Sequence, residues 1–261
     1  MTHIMNRFKS SAELKASARE HLLGHYGTAI GAFVLMGFFI FIASYVVAIL
    51  VPPYTVINVV LYYAIMFLVS VLMGLFNSGL CYLYLKLICE RSVSVGDLFY
   101  GFQLHPNKAI AMQAWITLLT YIASLPQIVI TYMMNKVSLS EGMTLLLSDQ
   151  QFAQFTKFML PYSLSLILAG VVRVFVNLIY AQAFFLLHDF PQYSASELLI
   201  KSRRLMVHHK GRLFYLSVSF IPLLLLAFLS SGLALLWVLP YMAATEAEFF
   251  LDLIKNNTEA A

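Results

Sequence analysis

Charge is scarce in this chain. Asp and Glu number 12 and Lys and Arg 16 among 261 residues, 11% in all, where a soluble domain carries about 25%. That deficit excludes a water-soluble globule, and a mean hydropathy of +0.83 excludes a disordered chain. Cysteine is nearly absent. Cys81 and Cys89 stand eight apart and form no disulfide or zinc pattern. HExxH, GxSxG, phosphate-loop and paired-carboxylate spacings are all missing. No cofactor and no metal is therefore expected, and the chain reads as non-enzymatic.

What is present is apolar: 61% hydrophobic and 15% aromatic residues. A crossing of about 30 Å of hydrocarbon needs about 20 apolar residues. Runs at 29–51, 56–85, 109–134 and 160–187 meet that length. The first is longer than a signal-peptide core and has no cleavage site at its end, so it is expected to stay as a span. From Leu213 to Phe250 no charge occurs before Glu246. A straight helix over that stretch would reach about 57 Å. Ser230-Ser231-Gly232 is the natural break, which divides it into 213–229 and 233–251. The expected fold is an all-α polytopic membrane bundle, one membrane domain over 1–261, with six spans. A five-span chain results if the last run does not cross.

The positive charges are unevenly placed. Arg7, Lys9, Lys15 and Arg19 precede the first span. Lys86, Arg91 and Lys108 lie between spans two and three, and Lys201, Arg203, Arg204, Lys210 and Arg212 between four and five. The opposite side holds Lys136 and Lys157. Short loops rich in Lys and Arg stay in the cytoplasm, so the N-terminus is expected there. Anionic headgroups, not nucleic acid, are the expected partners of the basic clusters, with Lys201, Arg203, Arg204, Lys210 and Arg212 as the membrane-surface set. A partner membrane protein is the other candidate.

These basic segments repeat. Glu13-Leu14, Arg19, His25 and Gly27 recur as Glu197-Leu198, Arg203, His209 and Gly211. Ser194-x-x-Glu197 fits a capping box, and Ser94-x-x-Asp97 with Leu98, Phe99 and Phe102 precedes span three. The chain thus parses as three hairpins, each preceded by an interfacial amphipathic helix on the cytoplasmic face.

Arg173 stands at the midpoint of span four, where a cation is costly and marks a pathway or a buried pair. Three readings stay open: an anion or headgroup site, a buried pair with Glu246 or Glu248, or snorkelling. Asn177 shares its helix face. Asn77, Gln113 and Gln182 are expected to make interhelical hydrogen bonds. His188 and His208-His209 are expected to meet headgroups. The 135–157 loop, with Leu145, Leu146, Leu147, Phe152 and Phe155, reads as an external helix or a lid.

Several stretches together resemble a bacterial integral-membrane family catalogued as domain of unknown function 975. The match runs from Leu187-His188-Asp189-Phe190-Pro191 through Ser194–Leu198 and Lys201-Ser202-Arg203-Arg204-Leu205-Met206 to Leu236-Trp237-Val238-Leu239-Pro240-Tyr241, and its specific part is Asp189 to Tyr241. Gly96-Asp97-Leu98-Phe99-Tyr100-Gly101-Phe102 and Ala247-Glu248-Phe249-Phe250 also fit, while Val207-His208 and Pro222 depart from the pattern. The resemblance implies a multi-span protein of the bacterial plasma membrane without an established activity. The leading expectation is that it moves or shelters a small amphipathic or lipid-like molecule. The alternative is a ligand-free scaffold or assembly factor, and an intramembrane enzyme is disfavoured.

Overall fold

A computed structural model describes residues 8–89, 92–140 and 149–258, with side chains except at 134–140, 149–155 and 257–258. Eleven α-helices and one 3-10 turn make up the described chain: α1 Ser11–Leu22, α2 Tyr26–Leu50, α3 Val56–Ile88, the 3-10 turn Val95–Phe99 running into α4 Tyr100–Gln103, α5 Pro106–Ser140, α6 Asp149–Tyr180, α7 Ala183–Asp189, α8 Ala195–Leu205, α9 Lys210–Val218, α10 Ile221–Leu229 and α11 Leu235–Thr258. No strand occurs among the described residues.

Five stretches are long and apolar enough to cross a membrane: 26–50, 56–88, 106–133, 156–189 and 210–229. The expected break is real. Ser231 (φ 54°) and Gly232 (φ 91°) take left-handed backbone between α10 and α11, and Gly pays no steric penalty there. The expected sixth span corresponds to α11, which is not among the five. Its C-terminal half carries Glu246, Glu248 and Asp252, and of these Glu248 and Asp252 are buried beside Phe249, Phe250 and Leu253. The middle of the expected 135–157 loop lies outside the described residues, but α5 and α6 extend into it from both sides as helix.

The described chain divides into two compact units. One comprises 8–39, 73–112 and 178–258. It contains the three-fold repeat. The backbone N–H of Ser10 donates to Glu13 at 2.6 Å, that of Ser94 to Asp97 at 2.8 Å and that of Ser194 to Glu197 at 2.7 Å. Each acid satisfies an N–H that a helix start leaves unpaired. The leucine after each acid, Leu14, Leu98 and Leu198, is buried. Each short element then turns into an apolar helix whose first turns bury Ala29 and Ala32, Ala109 and Met112, or Leu213 and Leu216.

Each short element also docks in the same way. The 3-10 turn and α4 lie on α3, where a Cβ at Gly79 would collide with the Leu98 carbonyl and one at Gly101 with the Leu75 carbonyl. Lys86 clamps this contact by bonding both carboxylate oxygens of Asp97, at 2.9 and 3.0 Å. Helix α8 lies on α7, and the Ser202 hydroxyl donates to the Ile179 carbonyl at 3.1 Å. Helix α1 lies on α11, burying Leu14, Ala18 and Leu22. Every module thus rests on the closing helix of the module before it, and the first rests on the last.

The second unit comprises 40–72 and 113–177. It is formed from the end of α2, the first half of α3 and most of α5 and α6. Its apolar side chains face outward in the protein itself: Phe41, Ile57, Val60, Leu68, Ile122, Leu160 and Ile167 are all exposed. Apolar surface this continuous is matched by hydrocarbon rather than water. Its hydroxyls bond to the helix's own carbonyls, Thr120 to Thr117, Ser124 to Thr120 and Thr131 to Gln127, at 2.8–2.9 Å, which removes bare donors from an apolar surrounding.

Candidate functional site

Two polar assemblies stand out, one in each unit. In the first, α11 presents Glu248 and Asp252, one turn apart on one face, to the start of the chain. Lys9 Nζ lies 3.1 Å and His21 Nε2 3.3 Å from the Glu248 carboxylate. Arg212 Nη2 bonds Asp252 at 2.8 Å and the Lys9 carbonyl at 2.9 Å. The Arg212 guanidinium also packs over the rings of Phe8 and Phe249, 4.6 and 5.0 Å from their centroids. Nearby, Lys15 donates to the Ser219 carbonyl at 2.8 Å and sits 4.0 Å above the Phe220 ring; burial pulls its pKa down. The Tyr241 hydroxyl beside Arg19 holds that guanidinium in its charged form. Charges removed from water are stable only when paired, and Glu248 and Asp252 each face a cationic group here, while Arg212 Nη1 stays buried without a hydrogen bond among the described residues.

The cluster corrects several sequence expectations. Glu248 takes Lys9 and His21 as partners, not Arg173. Arg212, expected at the membrane surface, directs its charge at Asp252 and its face at two aromatic rings. His209 is packed 4.8 Å from the Phe8 ring. His188 Nε2 lies 2.8 Å from the Ser78 carbonyl, so it donates into α3 rather than to a headgroup. The apolar sides of α1 and α8 are used on α11 and α7 rather than left for lipid. Lys201 stands 3.5 Å above the Tyr193 ring. Arg203, Arg204 and His208 are exposed, with Ile200 and Val207 exposed beside them. Lys210 is half-buried, and Glu246 lies within electrostatic reach of Cys81. Gln182 was expected to bond across helices, yet it is buried with neither side-chain atom hydrogen-bonded among the described residues. Lys9, His21 and Asp252 were not singled out from the sequence. The four-residue spacing of Glu248 and Asp252 was the available signal.

In the second unit, Tyr63 of α3, Tyr121, Ser124, Gln127 and Ile128 of α5, and Arg173 of α6 line a cavity of about 210 Å³. Among the described residues, Arg173 is the cation in this wall and no carboxylate lines it. Arg173 was expected to be buried in the bundle; it is instead exposed, as is Asn177 one turn on. Asn177 does not join the lining. The two phenols and the amide were invisible as a set beforehand, because only the relative rotation of three helices brings them together.

All-helical architecture, five apolar crossing-length helices and outward-facing apolar side chains define a multi-pass membrane protein. Residues 1–257 match the family described as protein of unknown function DUF975, and the chain belongs to that family. No curated protein and no solved structure matches it.

Proposed function

We propose that this is a non-enzymatic protein of the bacterial plasma membrane, with its N-terminus in the cytoplasm, that holds or moves a small amphipathic, lipid-like molecule. The observation that carries this reading is the cavity at Arg173. An unpaired cation at mid-span costs several kcal/mol, and a polar recess of donors among apolar helices is what a polar headgroup needs in hydrocarbon. The orientation rests on the twelve Lys and Arg residues placed before span one and in the two basic connections, against Lys136 and Lys157 opposite.

Native mass spectrometry of the detergent-extracted protein tests the reading. A copurifying amphiphile that disappears when Ser124→Phe fills the recess supports it. Wild type that carries nothing, with or without added lipid, overturns it. A scaffold for a partner membrane protein is the second reading. The exposed face of α8, where Ile200 and Val207 flank Arg203 and Arg204, favours it; a stable partner recovered with wild type and lost on Arg203→Glu, Arg204→Glu would establish it.

A further inference from the structure

Resting on that reading, we infer that the Arg173 cavity receives a headgroup bearing a single negative charge, and that this head enters sideways from the leaflet in which the α2–α3 turn lies. Four observations carry this. Among the described residues the lining holds one cation, Arg173, and no carboxylate, so one anionic charge neutralises it; a second would be left unpaired in hydrocarbon. The remaining polar lining is phenol and amide, from Tyr63, Tyr121 and Gln127, beside the Ser124 hydroxyl, whose proton is already donated to the Thr120 carbonyl. Such groups bond phosphate or carboxylate oxygens but do not add charge.

Size is the second constraint. About 210 Å³ accommodates a phosphate or carboxylate head with its first carbons and leaves no room for acyl chains. The chains must lie outside, and the wall allows it. Arg173 is exposed and flanked on α6 by exposed Ile167, Val171, Val174 and Phe175. The recess therefore opens onto an apolar surface, the side from which a bilayer-dissolved molecule arrives.

Depth is the fourth observation. Tyr63 lies seven residues from the start of the span at Val56, and Gln127 six from the end of the span at Met133. At 1.5 Å per residue these sit about 10 Å inside the hydrocarbon edge. Val56 and Met133 are the ends of those two spans remote from the connection that joins α3 to α5. Arg173 stands midway along its own span, 156–189. The polar wall thus runs from the midplane toward the leaflet that holds the α2–α3 turn.

The test uses full-length protein in nanodiscs of phosphatidylcholine, doped in turn with a monoanionic phosphodiester lipid (phosphatidylglycerol), a long-chain fatty acid, or a neutral diacylglycerol. Thermal unfolding is read for wild type, Arg173→Gln, Arg173→Lys and Ser124→Phe. Anionic dopants are expected to raise the wild-type midpoint by several degrees, to act partly on Arg173→Lys and to have no effect on Arg173→Gln. Which of the two anionic dopants acts distinguishes phosphate from carboxylate. Equal shifts in wild type and Arg173→Gln overturn the inference, as does stabilisation by inorganic phosphate or acetate in buffer. If diacylglycerol binds wild type and not Ser124→Phe, regardless of Arg173, the amphiphile reading stands while the anionic one fails. Arg173→Gln that converts a dimer to a monomer would show the residue covered by a second copy and would also overturn it. For the leaflet, a photoreactive residue at Tyr63 should label lipid added to the outer face of intact cells; labelling only from inverted vesicles overturns that part.

Discussion

The backbone N–H of Lys9 donates to Oδ1 of Asp252 at 3.2 Å, across 243 positions of chain. Lys9 precedes the first crossing helix, and Asp252 lies near the end of the last helix. Residues at opposite ends of a membrane chain touch when both ends lie on one side; with five crossing-length stretches, that requires α11 to return the chain to the side of α1. The expected outcome is that reporters fused before Met1 and after Ala261 read the same compartment. Alkaline phosphatase activity at the C-terminus with a cytoplasmic N-terminus would contradict the contact.

Asp252→Ala should be costly. It strands Arg212 and leaves the Lys9 N–H without its acceptor. Removing one half of a buried pair costs about 3–5 kcal/mol. Arg212 keeps 27% of its side chain exposed, so solvent screening reduces the expected loss to roughly 2 kcal/mol. A fall in the unfolding midpoint in detergent checks this, and Arg203→Ala, at an exposed position, should leave the midpoint in place.

Gly79→Ala and Gly101→Ala should each disrupt the docking of α4 on α3, because the new methyl meets backbone that has no side chain to swing aside. Overpacking of this kind costs typically about 1–3 kcal/mol or more. Gly37→Ala and Gly170→Ala, whose added carbon would meet nothing within 4 Å, are the matched neutral substitutions. Yield and thermal stability of the four variants separate the two classes.

Acid should loosen the first unit. The backbone N–H and hydroxyl of Ser194 hold the Glu197 carboxyl below its usual range. A depressed carboxyl contributes stability above its unfolded pKa of 4.5 and loses it as pH falls through the folded value. Burial, and then Arg212, hold His209 below 6.5, so the folded state resists its protonation. That contribution is present above 6.5 and is lost as pH falls toward the lowered value. The unfolding midpoint is therefore expected to fall as pH drops below 6.5, and His209→Phe should flatten that part of the profile. A midpoint that rises on acidification would contradict the assignment.

Much of the fold was legible before any coordinates. Apolar run length fixed the crossing helices, Ser230-Ser231-Gly232 marked a true break, and Ser194-x-x-Glu197 and Ser94-x-x-Asp97 marked true helix starts. These features are local, and each is written within a few residues. What could not be read was rotation. The sequence shows that Arg173 is costly at mid-span, but not which neighbours it meets. Tyr63 and Gln127 come from separate helices whose relative turn is set by packing. In the same way, Leu14 and Leu198 announce an apolar side without saying whether lipid or α11 and α7 will cover it. The residues that carry the family resemblance prove largely architectural: Asp97, Gly101, His188, Ser202 and Glu248 all hold one element against another.

The closed series of docked modules has a consequence for how the protein is made. Synthesis runs from the N-terminus, so the short elements at 94–103 and 195–205 emerge after the helices they rest on. Helix α1 is the exception. It leaves the ribosome first and finds its seat only when α11, the last helix, exists. Until then Leu14, Ala18 and Leu22 have no protein to cover them, and the membrane surface or a chaperone must shelter them. A chain truncated before α11 would therefore carry its defect at the opposite end, as an undocked first helix.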